Sequence, residues 1–161
     1  MNAPLHLPYN NEVSAEFLRL QDDSPFTQHQ IAGFSEQTLA IIQQQEAYAK
    51  AHPPLGIYRL ATEGSQTRNG GVIQQATSLM EITLHNGQQV RVAQQGDHAV
   101  YADGSTAQIV TGAGQENNHF ALVGSQLSNG DEIIDTPQDR VYFVARDGVA
   151  MAEDFLPTVE G

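Results

Sequence analysis

The chain has 161 residues, no cysteine, and a net charge of −12 from seven Lys and Arg against nineteen Asp and Glu. That length fits one domain with arms or two very small domains. The charge argues against nucleic acid or an anionic membrane as a partner, since phosphate recognition needs a basic surface, and the lack of cysteine excludes disulfides and thiolate metal sites.

Hydrophobic residues make up 40% and charged residues 16%, and Gly, Gln, Asn, Ser and Thr fill the remainder. This texture suits turns and short strands better than long helices. The opening stretch MNAPLHLPYNNEV has no basic region followed by an apolar run, so no ordinary secretory signal is expected. No run approaches the length of a membrane span.

Residues 1–53 read as a helical N-terminal extension. Glycine is rare there, and Gln, Glu and Ala are common. Ser14 and Ser35 are candidate helix caps, and Thr27 with Gln30 fits a capping box. In SEQTLAIIQQQEAYAKA, Leu39, Ile42 and Ala49 fall near one helical face with Ile41 beside them. Pro53 and Pro54 then end the helix.

From Ile57 onward the pattern changes to β. Asn-Gly or Asp-Gly occurs at residues 69–70, 86–87, 103–104, 129–130 and 147–148. These dipeptides favour the positive φ angles of tight hairpins. EITLHNGQQVRVA places Ile82, Leu84, Val90 and Val92 around one such turn, and RVYFVARDGVAMA reads as another hairpin. The predicted fold is all-β, made of many short strands. A β-repeat domain spans 57–137, and a C-terminal hairpin and tail span 138–161.

GSQTRNGGVI, Gly64 to Ile73, returns as GSQLSNGDEI, Gly124 to Ile133, with six of ten positions identical. A looser copy, GDHAVYADGSTAQIV, lies between them and carries Ile109. A repeated strand-turn-strand unit predicts internal symmetry, because one copy alone cannot bury its apolar face.

In chain order GSQTRNGGVI, LHNGQQVRVAQQGD, DGSTAQIVTGAG and FALVGSQLSNGDEII resemble the PAAR-repeat proteins over roughly residues 57–137. The resemblance implies a small cone of short antiparallel strands and tight turns with pseudo-threefold repeats. It implies a non-catalytic tip or adaptor that caps the trimeric β-helical spike of a type VI secretion system or a related phage-tail-like injector. Such a tip helps pierce the target envelope or carries cargo. It would sit on the spike in the cytoplasm and leave the cell without a signal peptide. Its partners would be the spike and, through residues 1–53, an effector or chaperone.

The same resemblance implies a zinc or iron ion near the tip, held by three His and one Cys. This chain departs from that set. The slots for those ligands hold Asn69, Tyr101 and Asn129. The remaining candidates are His85, His98 and His119, with water or a carboxylate such as Asp97 completing the shell. His6, His29 and His52 lie in the arm and are not expected to bind metal.

Enzymatic readings find less support. Asp97 and His98 with Ser105 or Ser125 supply the residue types of a hydrolytic triad, but no G-x-S-x-G elbow accompanies them. TGAGQENN lacks the full glycine pattern and the lysine of a phosphate loop. MAEDFLPTVEG is too short to hold an active site and reads as a solvated tail or a partner-binding strand. Two further alternatives are a free-standing β-module that binds a glycan or peptide, and a secreted effector carried by the terminal arms.

Overall fold

The structure, a computed structural model, describes residues 8–157. The chain forms two compact units. One contains residues 12–57 and 144–150, and the other contains residues 8–11, 58–143 and 151–157.

The first unit is helical for local reasons. Helix α1, Ala15–Leu20, starts where the Ser14 hydroxyl accepts the Phe17 N–H at 3.0 Å. Helix α2, Gln28–Ala32, starts at a complete capping box. The Gln30 N–H donates to the Thr27 hydroxyl at 3.1 Å, and the Thr27 N–H donates to the Gln30 side chain at 2.9 Å. Helix α3, Glu36–Ala51, begins at Ser35 and ends at His52, just ahead of the two prolines. Leu39, Ile42 and Ala49 are half-buried and Ile41 is exposed. None of the three helices holds a fully buried residue, so the unit relies on its caps and ion pairs more than on a core. Arg146 ties it together by donating to both Asp22 carboxylate oxygens and, at 2.9 Å, to the His52 carbonyl. No helix among the described residues is long and apolar enough to cross a membrane.

The strands are short. They are β1 Pro54–Arg59, β2 Glu81–Thr83, β3 Gln89–Arg91, β4 His98–Val100, β5 Thr106–Gln108 and β6 Tyr142–Arg146. They pair as β1–β6, β2–β3 and β4–β5. The described residues therefore form a small β-rich fold of short strands and tight turns with three α-helices. The β2–β3 hairpin turns at Asn86-Gly87 with Ile82 opposite Val90, and Ile82, Leu84, Val90 and Val92 are all buried, as the alternation predicts. The expected hairpin around Asp147-Gly148 does not form. Strand β6 pairs with β1 instead, and residues 149–157 carry no strand. The chain is extended after the prolines that end α3, and the Asp147 N–H donates to the Pro53 carbonyl at 3.0 Å.

In the second unit one set of backbone hydrogen bonds occurs in three stretches. Gly64 donates to Ile73, Gly96 to Ile109 and Gly124 to Ile133, each at 2.8 Å. Each isoleucine N–H donates back to the residue after the glycine, namely Ser65, Asp97 or Ser125. The three glycines have φ of 93°, 100° and 108°, a region that a Cβ disfavours. The side chain after each glycine reaches back three residues. Ser65 accepts the Thr62 N–H at 2.9 Å, Asp97 accepts that of Gln94 at 3.0 Å, and Ser125 accepts that of Leu122 at 2.9 Å.

The segments before these glycines pair in a cycle. Ala61 N–H donates to Ala121 O at 2.9 Å, Ala121 N–H to Ala93 O at 2.8 Å, and Ala93 N–H to Ala61 O at 2.9 Å. Glu63 donates to Arg91, Gln95 to His119, and Val123 to Arg59, a second cycle that runs round the three segments in the opposite sense. The three hairpins that follow, around residues 66–72, 98–108 and 126–132, also close on one another. Val72 pairs with Val100, Ser128 N–H donates to Gln108 O, and Arg68 N–H donates to Glu132 O. Each hairpin thus covers the next one's backbone groups, and none is left as an open edge.

The core follows from that closure. One buried cluster holds Ala61, Ala93 and Ala121 with Ile73, Ile109 and Ile133, joined by Ala99, Ala107 and Leu127. Alanine at the three inner positions lets the backbones approach, and the isoleucines fill the space between the hairpins. A second cluster gathers Leu60, Ile82, Leu84, Val90, Val92, Ala113 and Leu122, with Tyr58, Phe143 and Phe155 packed against it.

Candidate functional site at the hairpin turns

The turns of the three hairpins meet at one carboxylate. Each turn is made by Asn-Gly or Asp-Gly, with φ of 92° at Gly70 and 85° at both Gly104 and Gly130. Asp131, in the third hairpin, is 1% exposed. Its Oδ2 accepts the hydroxyl of Tyr101, from the second hairpin, at 2.5 Å. Its Oδ1 accepts the backbone N–H of Asn69, from the first hairpin, at 3.1 Å, and that of Glu132 at 2.8 Å. The Thr67 hydroxyl, also from the first hairpin, bonds the same carboxylate. Asn129 donates to the Tyr101 oxygen at 3.0 Å and accepts the Asp131 N–H at 3.0 Å.

The electrostatics follow from these contacts. Burial pushes the Asp131 carboxyl up, but the bonds from Thr67, Tyr101, Glu132 and Asn69 outweigh it and hold the group below the usual carboxylate range. Burial raises the Tyr101 hydroxyl, and its bond to Asp131 adds to the shift. The hydroxyl therefore stays protonated as the donor and the carboxylate stays charged as the acceptor, which is the stronger kind of hydrogen bond.

Gly71 makes room for the tyrosine. A Cβ there would lie 2.8 Å from the Thr67 hydroxyl and 3.0 Å from two carbons of the Tyr101 ring. Gly71→Ala is expected to destabilise the protein by about 1–3 kcal/mol through overpacking, measured by urea unfolding. Gly33→Ala, whose Cβ would meet its nearest neighbour at 3.6 Å, is the control and is expected to change stability little.

The structure places the three slot residues together. Tyr101 and Asn129 are bonded to each other, and Asn69 reaches the same carboxylate through its backbone. It does not bring the three candidate histidines together. His85 bonds Asp139 at 2.8 Å and lies 3.3 Å from the Arg140 guanidinium. His98 is exposed at the start of β4. His119 is exposed with φ of 53°, and its carbonyl accepts the Gln95 N–H at 2.8 Å. Among the described residues no group of three or more His, Asp or Glu is arranged to hold a metal ion. In the arm, His29 lies in α2, His52 caps α3, and His6 lies outside the described residues.

The residues considered for a triad are occupied elsewhere. Asp97 accepts from Thr77 and Gln94, Ser125 is buried against the Leu122 N–H, and Ser105 bonds Asp103. TGAGQENN forms a short 3₁₀ turn, Gln115–Asn117, whose first N–H is taken by Asp154 at 2.8 Å.

Asp131 and Thr67 escaped the sequence reading. A signal was present, because the two repeat copies differ at their eighth position, where glycine stands at 71 and a carboxylate at 131. A glycine opposite a charged residue at matched turns marks a place where one turn makes room and the other supplies a bond. Elsewhere on this unit, Leu79 is 97% exposed and borders a cleft of about 400 Å³ that Met80, Gln94, Asn118 and Phe120 help to line. No family model, curated protein or solved structure matches the chain.

Proposed function

We propose that the protein is a non-catalytic tip or adaptor that caps the trimeric β-helical spike of a type VI secretion or phage-tail-like injection machine. In this reading residues 57–137 are a PAAR-like cone of three wedges about a pseudo-threefold axis. The cone helps pierce the target envelope, and residues 1–53 offer a mount for an effector or chaperone. The protein rides the spike out of the cytoplasm and needs no signal peptide of its own.

One observation carries the reading: the cyclic pairing of Ala61, Ala121 and Ala93, with the same hydrogen bonds repeated around it. A needle of three identical chains is met evenly by a single chain only if that chain presents three similar faces. The exposed Leu79 beside Met80 and Phe120 supplies apolar surface for such a contact.

The test mixes the purified chain with a truncated trimeric spike and determines the stoichiometry by light scattering and imaging. One chain per trimer is expected. Leu79→Glu is expected to weaken binding by roughly tenfold or more while leaving the melting temperature unchanged, as for an exposed apolar anchor. Failure to form a complex, or three chains bound per trimer, would overturn the proposal.

A further inference from the structure

The residues at the three turns do not fit the zinc or iron centre that the family resemblance implies. A structural zinc takes four ligands, usually thiolate or imidazole, at about 2.0–2.3 Å. The junction offers a phenol, a threonine hydroxyl, an amide and one carboxylate. Both oxygens of that carboxylate already accept hydrogen bonds from the protein.

We infer that the three turns are joined by a metal-independent polar clasp, in which Asp131 receives a donor from each of the other two hairpins and the Tyr101 hydroxyl closes it. The geometry meets the demands of such a clasp. Asp131 is buried, so an unpaired charge there would be costly, and its partners come from residues far apart in the chain. The Tyr101 ring occupies the space that Gly71 leaves, which fixes the ring before the hydroxyl bonds. Asn129 holds the phenolic oxygen from the other side at 3.0 Å, so the hydroxyl hydrogen is left to point at the carboxylate. The clasp does for these turns what a bound ion does for a small domain: it links three chain segments through one centre. It needs no loading step and no ligand pool.

The inference stands on these hydrogen bonds alone and does not depend on spike binding. The experiment uses the full chain, purified without chelator, and three variants: Tyr101→Phe, Asp131→Asn and the double. Tyr101→Phe keeps the ring against Gly71, so the variant folds. Elemental analysis is expected to find no zinc or iron above background, and EDTA is expected to leave the melting temperature unchanged. Tyr101→Phe is expected to lower that temperature by roughly 4–8 °C, the effect of losing a hydrogen bond to a charged group in a domain of this size. The double variant is expected to lose less than the sum of the singles, because both act on one bond. Stoichiometric metal whose removal lowers the melting temperature would overturn the inference. So would a Tyr101→Phe protein that melts with the wild type, or strictly additive losses.

Discussion

Ile133→Ala is expected to cost about 2–5 kcal/mol, the range for truncating a large aliphatic side chain in a core that cannot collapse around the gap. Ile133 is fully buried, and Ile73 and Ile109 share its cluster. Its backbone is fixed on both sides, the N–H by Ser125 O at 2.9 Å and the carbonyl by the Gly124 N–H at 2.8 Å. The chain therefore cannot shift to fill the space. Since small domains are stable by only about 5–15 kcal/mol, such a loss removes a large share of the margin. The next residue is the internal control. Ile134 is 38% exposed, and Ile134→Ala is expected to cost under about 1 kcal/mol. Urea unfolding of both variants checks the difference. Equal losses would mean that the side chain at 133 does not point inward as described.

Asp97→Ala is expected to be the second most damaging change, at about 2–4 kcal/mol, because it strands three donors at once. The carboxylate accepts the Gln94 N–H at 3.0 Å, the Thr77 N–H at 3.1 Å and the Thr77 hydroxyl at 2.6 Å, and the residue is 5% exposed. The matched positions, Ser65 and Ser125, hold the corresponding N–H groups with a hydroxyl. Asp97→Ser is therefore expected to recover the Gln94 contact but not those to Thr77, and to melt between the wild type and Asp97→Ala. A serine variant no better than alanine would show that the residues after the three glycines are not interchangeable in role.

Features set by short-range chemistry were legible in the sequence. The Thr27–Gln30 box, the Ser14 and Ser35 caps and the Asn86-Gly87 hairpin all depend on residues within a few positions of each other. The matched Gly64 and Gly124 segments were visible for a related reason, since the same local hydrogen bonds impose the same residues. Pairing between distant segments was not legible. The strand Tyr142–Arg146 has a good β composition, but nothing in it distinguishes a partner after Gly148 from one before Tyr58. The histidines failed for a similar reason: residue type marks His85 as a possible ligand, yet its surroundings are Asp139 and Arg140. The candidate site was half legible. Tyr101 and Asn129 stood out against the family pattern, whereas Asp131 matters because a tyrosine from another hairpin reaches it.

The cyclic pairing also governs how the protein comes into being. Val123 N–H finds its acceptor at Arg59, and Arg68 N–H finds its acceptor at Glu132, so the first segment to leave the ribosome waits for the last. Contacts of such long sequence separation are slow to form and leave backbone groups unsatisfied in the meantime. A nascent chain halted after Gln108 would present two segments with exposed amides on either side. The first two segments can pair with each other by then, but translation must run through Ile133 before all three can be shielded.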